Sequence, residues 1–237
     1  MTLPKIDLPI YEITLPSNGK KVRIRPFLVK EEKLLLTAMQ LGEEKDMMNA
    51  VKTIIKNCTN LKSRVDNLAT FDIEYLFLKI RSKSIGEVSK IMVTCPDDDE
   101  TQVEVEINLE EIEVTWPENH STKIELTDSV GLIMKYPSLD TFVKLNFTGE
   151  DITVDNIFEL AIQCLDQVYE GDEVQDVKTY TKKELMEFLE SMKSDQFLKL
   201  QEFFSNMPKL EHDIEVENPK TGVKNTVKLE GLGAFFA

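Results

Sequence analysis

The sequence predicts an α+β fold: a helical core with an N-terminal β-hairpin and two β-ribbons that resemble metal-free zinc-ribbon halves. Three observations carry this. Strand-like and helix-like stretches come in groups rather than in alternation, which argues against a doubly wound sheet. Several intervening stretches carry apolar residues at helical spacing. Finally, KIMVTCPDDDETQVEVEINLEEI from Lys90 and DIEVENPKTGVKNTVKLEGLGAFFA from Asp213 share a strand-turn-strand layout, with Cys95-Pro96 in one turn and Asn218-Pro219 in the other.

The elements follow in order. IYEITLPSNGKKVRIRPF, residues 10–27, alternates apolar and polar on both sides of Pro16-Ser17-Asn18-Gly19. Asn-Gly readily takes positive φ, so a hairpin is expected. LVKEEKLLLTAMQLG is a helix by composition and closes at Gly42. In EKDMMNAVKTIIKNC, Met47, Val51, Ile54, Ile55 and Cys58 share one helical face. FDIEYLFLKIRSKSIG carries Ile73, Leu76, Phe77 and Ile80 as a stripe, widened by Phe71, Tyr75 and Leu78 until most sides are apolar. A helix of that kind is central and buried. From Glu87 to about Val114 the chain turns strand-like, and TKIELTDSVGLIMKYPSL starts as a strand and becomes irregular around Gly131 and Pro137.

The C-terminal half returns to helix. Ile157, Ala161, Cys164, Leu165 and Val168 line one face of a helix expected from near Asp155 to near Gly171. Thr181-Lys182-Lys183-Glu184 is a capping box that opens a helix with Leu185, Phe188, Leu189 and Met192 inward. Ser194 or Asp195 is expected to cap another, with Phe197, Leu200, Phe204 and Met207 inward and a stop at Pro208. Residues 1–237 are read as a single domain, with ribbons at about 87–126 and 210–231.

Composition narrows function. The chain has 237 residues and 41% apolar content, sufficient for a core without disulfides or metal. A net charge of −15, from 43 acids and 28 bases, leaves no basic face for phosphate neutralisation, so nucleic acid is not an expected partner. The acidity suits solubility or a basic protein partner. The N-terminus lacks the apolar stretch of a signal peptide, and no run of about 18 apolar residues suggests a membrane span. Three dispersed cysteines, Cys58, Cys95 and Cys164, fit a reducing cytoplasm.

A structural zinc site needs four ligands in close pairs. The ribbon turns offer one sulfur, Cys95, against Asn218, Pro219, Lys220 and Thr221, while His120 and His212 stand far apart. Cys95 is therefore the only residual candidate ligand, and no metal or cofactor is expected. PDDDE, from Pro96, lacks the spacing and glycine of a calcium loop and reads as a solvated turn. Cys58 and Cys164 lie on apolar helical faces, where a thiol is a small hydrophobe rather than a nucleophile. No nucleophile-elbow or phosphate-cradling glycine motif is present, so no catalytic residue is assigned and the chain is read as a non-enzyme. Two partner-binding candidates remain. Leu232, Phe235 and Phe236 either fold back onto the core or form a docking tail, and Lys21, Arg23 and Arg25 share one face of a strand.

Three stretches in fixed order, LPSNGKKVRIRPFLVKEEKLLLTAM, FDIEYLFLKIRSKSIGE and HSTKIELTDSVGLIMKYPSL, resemble the baseplate hub assembly proteins of T-even-type (T-four-like) contractile-tailed bacteriophages. The resemblance runs from about Ile10 to Phe236. It implies a non-enzymatic, late-acting assembly factor or tail chaperone of the baseplate hub that works by stoichiometric binding. Its implied partners are phage tail or baseplate hub proteins, met in the host cytoplasm during assembly. The alternatives are a structural hub subunit retained in the virion and, from another class, a zinc-binding protein or enzyme. In the family the two ribbons often carry Cys pairs; this sequence keeps Cys95, with Asp98 and the Asn218–Thr221 stretch where further ligands would fall.

Overall fold

The computed structural model describes residues 7–144 and 154–235. Two compact units emerge. The first runs to Asp66, takes in Phe71–Thr115 and resumes at Lys209, and the second consists of Asn67–Thr70 and Trp116–Pro208.

The first unit begins with the expected hairpin, β1 (Tyr11–Thr14) antiparallel to β2 (Lys21–Ile24). The Leu15 amide donates to the Lys20 carbonyl across the turn, and the Gly19 amide donates back to Leu15. Helix α1 (Val29–Leu41) and helix α2 (Glu44–Cys58) follow. Glu31, 1% exposed, ties them to each other and to the residue after β2: its carboxylate accepts from the Leu28 amide, the Arg25 guanidinium and the Asn57 side-chain amide. Val51, Ile54, Ile55 and Cys58 of α2 are buried, as their spacing requires.

Helix α3 (Thr70–Ile85) is enclosed on most sides. Ile73, Leu76, Phe77, Leu78 and Ile80 are each fully buried, and each gains about 1.5–3 kcal/mol from leaving water. Five of its polar side chains are buried or half-buried, and between them they reach four surrounding segments. The Asp72 carboxylate accepts from the Ser17 amide at 3.0 Å and from the Ser17 hydroxyl, fixing the β1–β2 turn. Ser84 accepts the Phe27 amide at 2.9 Å, just before α1. Arg81 donates to Ser89 on the next strand. Lys79 donates to the Glu110 carbonyl at 2.7 Å and the Glu113 carboxylate at 3.1 Å, and Ser82 also bonds Glu110. A buried polar group without a partner costs about 1–3 kcal/mol, so these pairings fix where each segment lies.

Beyond α3, β3 (Val88–Thr94) and β4 (Gln102–Asn108) form the first ribbon, and β5 (Val114–Thr115) leads out of the unit. The ribbon closes at Asn108, short of the expected 126. Strand β6 (Lys123–Glu125) belongs instead to the second unit's antiparallel sheet, of order β6-β7-β8-β9.

In that sheet the stretch around Gly131, expected to be irregular, is strand β7 (Val130–Met134), followed by helix α4 (Leu139–Lys144). Helix α5 (Val154–Cys164) ends seven residues before Gly171, where the sequence had placed its end. The chain passes directly into β8 (Leu165–Glu170) and then β9 (Glu173–Asp176). Leu165 and Val168 continue the helical apolar spacing but pair with Met134 and Leu132 of β7. Sheet pairing from a remote strand overrides the local pattern. Helix α6 (Lys182–Glu190) opens on the expected Thr181–Glu184 capping box. Helix α7 (Ser194–Ser205) is capped one residue early: the Gln196 side chain accepts the Lys193 amide, with neither Ser194 nor Asp195 at the cap. Leu132, Leu160, Cys164, Leu189, Leu200 and Phe203 lie in the core between sheet and helices, with Phe197, Phe204 and Met207 partly buried against it.

The chain then returns to the first unit as β10 (Lys209–Glu217) and β11 (Lys224–Glu230), the second ribbon, and ends its described part in the short helix α8 (Gly231–Ala234) and Phe235. β10 also pairs with β5, so this ribbon is one side of a three-stranded sheet.

Two substitutions test these contacts. A Cβ on Gly131 would lie 2.2 Å from the Tyr169 hydroxyl and 2.6 Å from the Ile124 carbonyl. Gly131→Ala should therefore lower stability by about 1–3 kcal/mol in urea unfolding, while Gly233→Ala, with nothing within 4 Å, serves as the neutral control. At Asp72, burial raises the carboxyl above its ordinary 3.8, against the lowering effect of the two Ser17 bonds. Its contribution is then whole below 3.8 and is lost as pH rises through the raised folded value. Asp72→Ala should cost about 2 kcal/mol by stranding the Ser17 donors. Asp72→Asn should instead be relatively more stable, against wild type, near neutral pH than in mild acid.

Candidate functional site

The two ribbon tips share a turn bond from the fifth residue back to the first, and the first loop is one residue longer than the second. In the first, the Cys95 amide donates to the Thr101 carbonyl at 2.8 Å, and the Asp99 amide donates to the Cys95 carbonyl at 3.0 Å. In the second, the Asn218 amide donates to Val223 at 2.9 Å, and the Gly222 amide donates to Asn218 at 2.8 Å. Pro follows the first residue of each loop. The fifth residue of each takes positive φ, 54° at Asp99 and 74° at Gly222, a conformation that glycine adopts freely and aspartate tolerates. Cys95 and Asn218 are both fully buried.

The tips meet through Asp97. Its carboxylate accepts from the Asn218 side-chain amide at 3.0 and 3.1 Å, the Thr221 hydroxyl at 2.6 Å and the Asn225 side-chain amide at 2.8 Å. Each tip is also locked internally. Asp98 accepts from the Thr101 amide at 2.9 Å, the Thr101 hydroxyl at 2.6 Å and the Glu100 amide at 3.2 Å. The Asn218 side-chain oxygen accepts the Lys220 amide at 2.8 Å. At the rim, the Lys220 ammonium lies 3.3 Å from Glu100 and 3.6 Å from Asp98. The Thr221, Asn218 and Asn225 donors hold Asp97 below the ordinary carboxylate range, and Thr101 and Glu100 do the same for Asp98.

These residues do not fit a zinc ion. A tetrahedral site wants thiolate, imidazole or carboxylate donors converging on one point. Asn218 turns its N–H toward the opposite tip and its oxygen toward its own backbone, and the Thr221 hydroxyl is spent on Asp97. Burial and the charges of Asp97 and Asp98 push the Cys95 thiol up, away from thiolate. Among the described residues, no group of three or more His, Cys, Asp or Glu side chains is placed to hold a metal.

The other two thiols are buried. Burial pushes Cys58 up to about 11 and Cys164 up to about 12, so both are protonated at neutral pH and poorly nucleophilic. His120 packs against the Tyr136 and Phe203 rings, which also contact each other, with a ring nitrogen 2.9 Å from the Tyr136 hydroxyl, and burial lowers its basicity.

The partner-binding candidates are scattered by the fold. Lys21 and Arg23 lie on the exposed face of β2, where Lys21 pairs with Glu12 at 2.6 Å. Arg25 is drawn inward to Glu31 at 3.3 Å. Phe235 is fully buried, so it belongs to the protein's interior; Phe236 and the Leu232 side chain lie outside the described residues. Sequence reasoning missed Asp97 and Asn225. Asp97 stands within a run of four acids, where nothing distinguishes the residue that reaches across, and Asn225 is one strand residue among many.

A family model described as T4 bacteriophage base plate protein matches residues 8–237. The chain belongs to that family, and its role is a structural or assembly one in the phage baseplate. No curated protein and no solved structure matches it. No helix among the described residues is long and apolar enough to cross a membrane.

The lowered carboxyls give the tips a pH signature. A depressed folded value means that the contribution of Asp97 is present above 3.8 and is lost as pH falls through the folded value. Protection of the tip amides, measured against the intrinsic exchange rate at each pH, should therefore fall in acid before the cores open. Asp97→Asn should remove that acid step; an unchanged step would assign it to another group.

Proposed function

We propose that the chain is a non-enzymatic assembly factor, or tail chaperone, of the baseplate hub that acts by stoichiometric binding to other phage tail proteins during assembly in the host cytoplasm. The observation that carries this reading is the family match over residues 8–237. The site chemistry is consistent with it. The described cysteines are buried with raised pKa values, and the Asp97 and Asp98 carboxylates are consumed by hydrogen bonds within the tips. The proposed contact residues are Lys21 and Arg23 on β2, with Leu232 and Phe236 at the chain end.

A second reading, a hub subunit retained in the virion, has its own support. Val29, Leu36, Met39 and Leu41 of α1 are exposed, at 80, 53, 46 and 62%, and permanent interfaces are richer in apolar side chains than transient ones. Quantitative mass spectrometry of purified particles and of infected-cell extracts separates the two. An assembly factor should co-purify with hub proteins from extracts and be missing from finished particles. Stoichiometric copies in particles would make the chain a structural subunit.

A further inference from the structure

Two hairpin tips that share a turn bond from the fifth residue back to the first, a proline after the first residue and a positive φ at the fifth form a frame able to present paired side chains to one point, as a structural metal site requires. Here the frame carries one sulfur. We propose that the tip pair is a metal-independent knuckle, in which the Asp97 carboxylate joins the two ribbons by hydrogen bonds in the place of a bridging ion.

The geometry supports this on three counts. First, the bonds cross from one ribbon to the other, 121 to 128 residues away in sequence, as a bridging ion's ligands would. Second, one carboxylate can accept about four hydrogen bonds, and the three donor side chains fill that capacity, with Asn218 reaching both oxygens. Third, the donors are neutral, so a single negative charge is buffered by dipoles rather than opposed by a cation. At the rim of the tips, Lys220 is engaged with Asp98 and Glu100. Bonds to an ionised acceptor are among the stronger ones in proteins, and several converging on one atom pair give the link its direction. A metal would fix the ribbons as well, but would make them depend on metal supply and on thiolates staying reduced. The hydrogen-bonded clamp carries neither dependence.

The test combines metal analysis with hydrogen–deuterium exchange on the full-length chain, with and without a strong chelator. The expected result is no stoichiometric zinc, exchange at the Cys95 and Asn218 amides unchanged by chelator, and exchange there faster by about tenfold or more in Asp97→Ala. Thr221→Val and Asn225→Ala each remove one donor and should give smaller accelerations at the same amides, which keeps the test decisive if Asp97→Ala fails to fold. One bound zinc per chain with chelator-induced exchange at the tips would overturn the proposal. Tip exchange in the single-donor variants indistinguishable from wild type would overturn it as well.

Discussion

The first unit depends on a constraint set by α3: an enclosed helix must place each of its polar side chains against a partner. Five of its side chains, Asp72, Lys79, Arg81, Ser82 and Ser84, meet the β1–β2 turn, the Glu110–Glu113 stretch, β3 and the approach to α1. The apolar residues between them supply most of the burial energy, but burial is indifferent to which segment lies where. The polar pairs are not indifferent. A shifted β1–β2 turn would leave a buried carboxylate without its donors, and a shifted Glu110 would strand a buried ammonium. Such losses are large against a total stability of about 5–15 kcal/mol. The stretch FDIEYLFLKIRSKS thus reads as a structural instruction, with no reacting group required of it.

The ribbons extend that logic to the edge of the unit. A two-stranded ribbon is marginal alone, and the first ribbon leans through Asp97 on the tip of the second, which β5 extends to three strands. The same turn backbone can present metal ligands or hydrogen-bonding groups, because the loop shape is fixed by main-chain bonds and one positive φ. Side chains then decide the chemistry. With Asn218 and Thr221 in the second tip, the available chemistry is donation to a carboxylate.

Much of this was legible in the sequence. Alternation and Asn18-Gly19 specified the first hairpin, the wide apolar surface of residues 71–86 marked the buried helix, and the twin turns marked the ribbons. The illegible parts share a cause, a distant partner. Leu165 and Val168 fit a helix until β7 is known to pair with both, and Gly131 gives no hint of the Tyr169 ring lying against it. Phe235 offered no way to choose between interior and surface until its burial was seen. Asp97 looked like any acid in PDDDE because its donors lie more than a hundred residues later.

Membership of the baseplate family gives the chain a structural or assembly role in the phage baseplate, and the conspicuous side chains named above hold its own segments together. The most direct test of the organising role of α3 is native-state hydrogen exchange across the first unit. Amides from Ile73 to Ile80 should exchange only through global unfolding, with a free energy equal to that from urea denaturation. Exchange of those amides by local opening, while the hairpin and ribbons stay protected, would contradict the account.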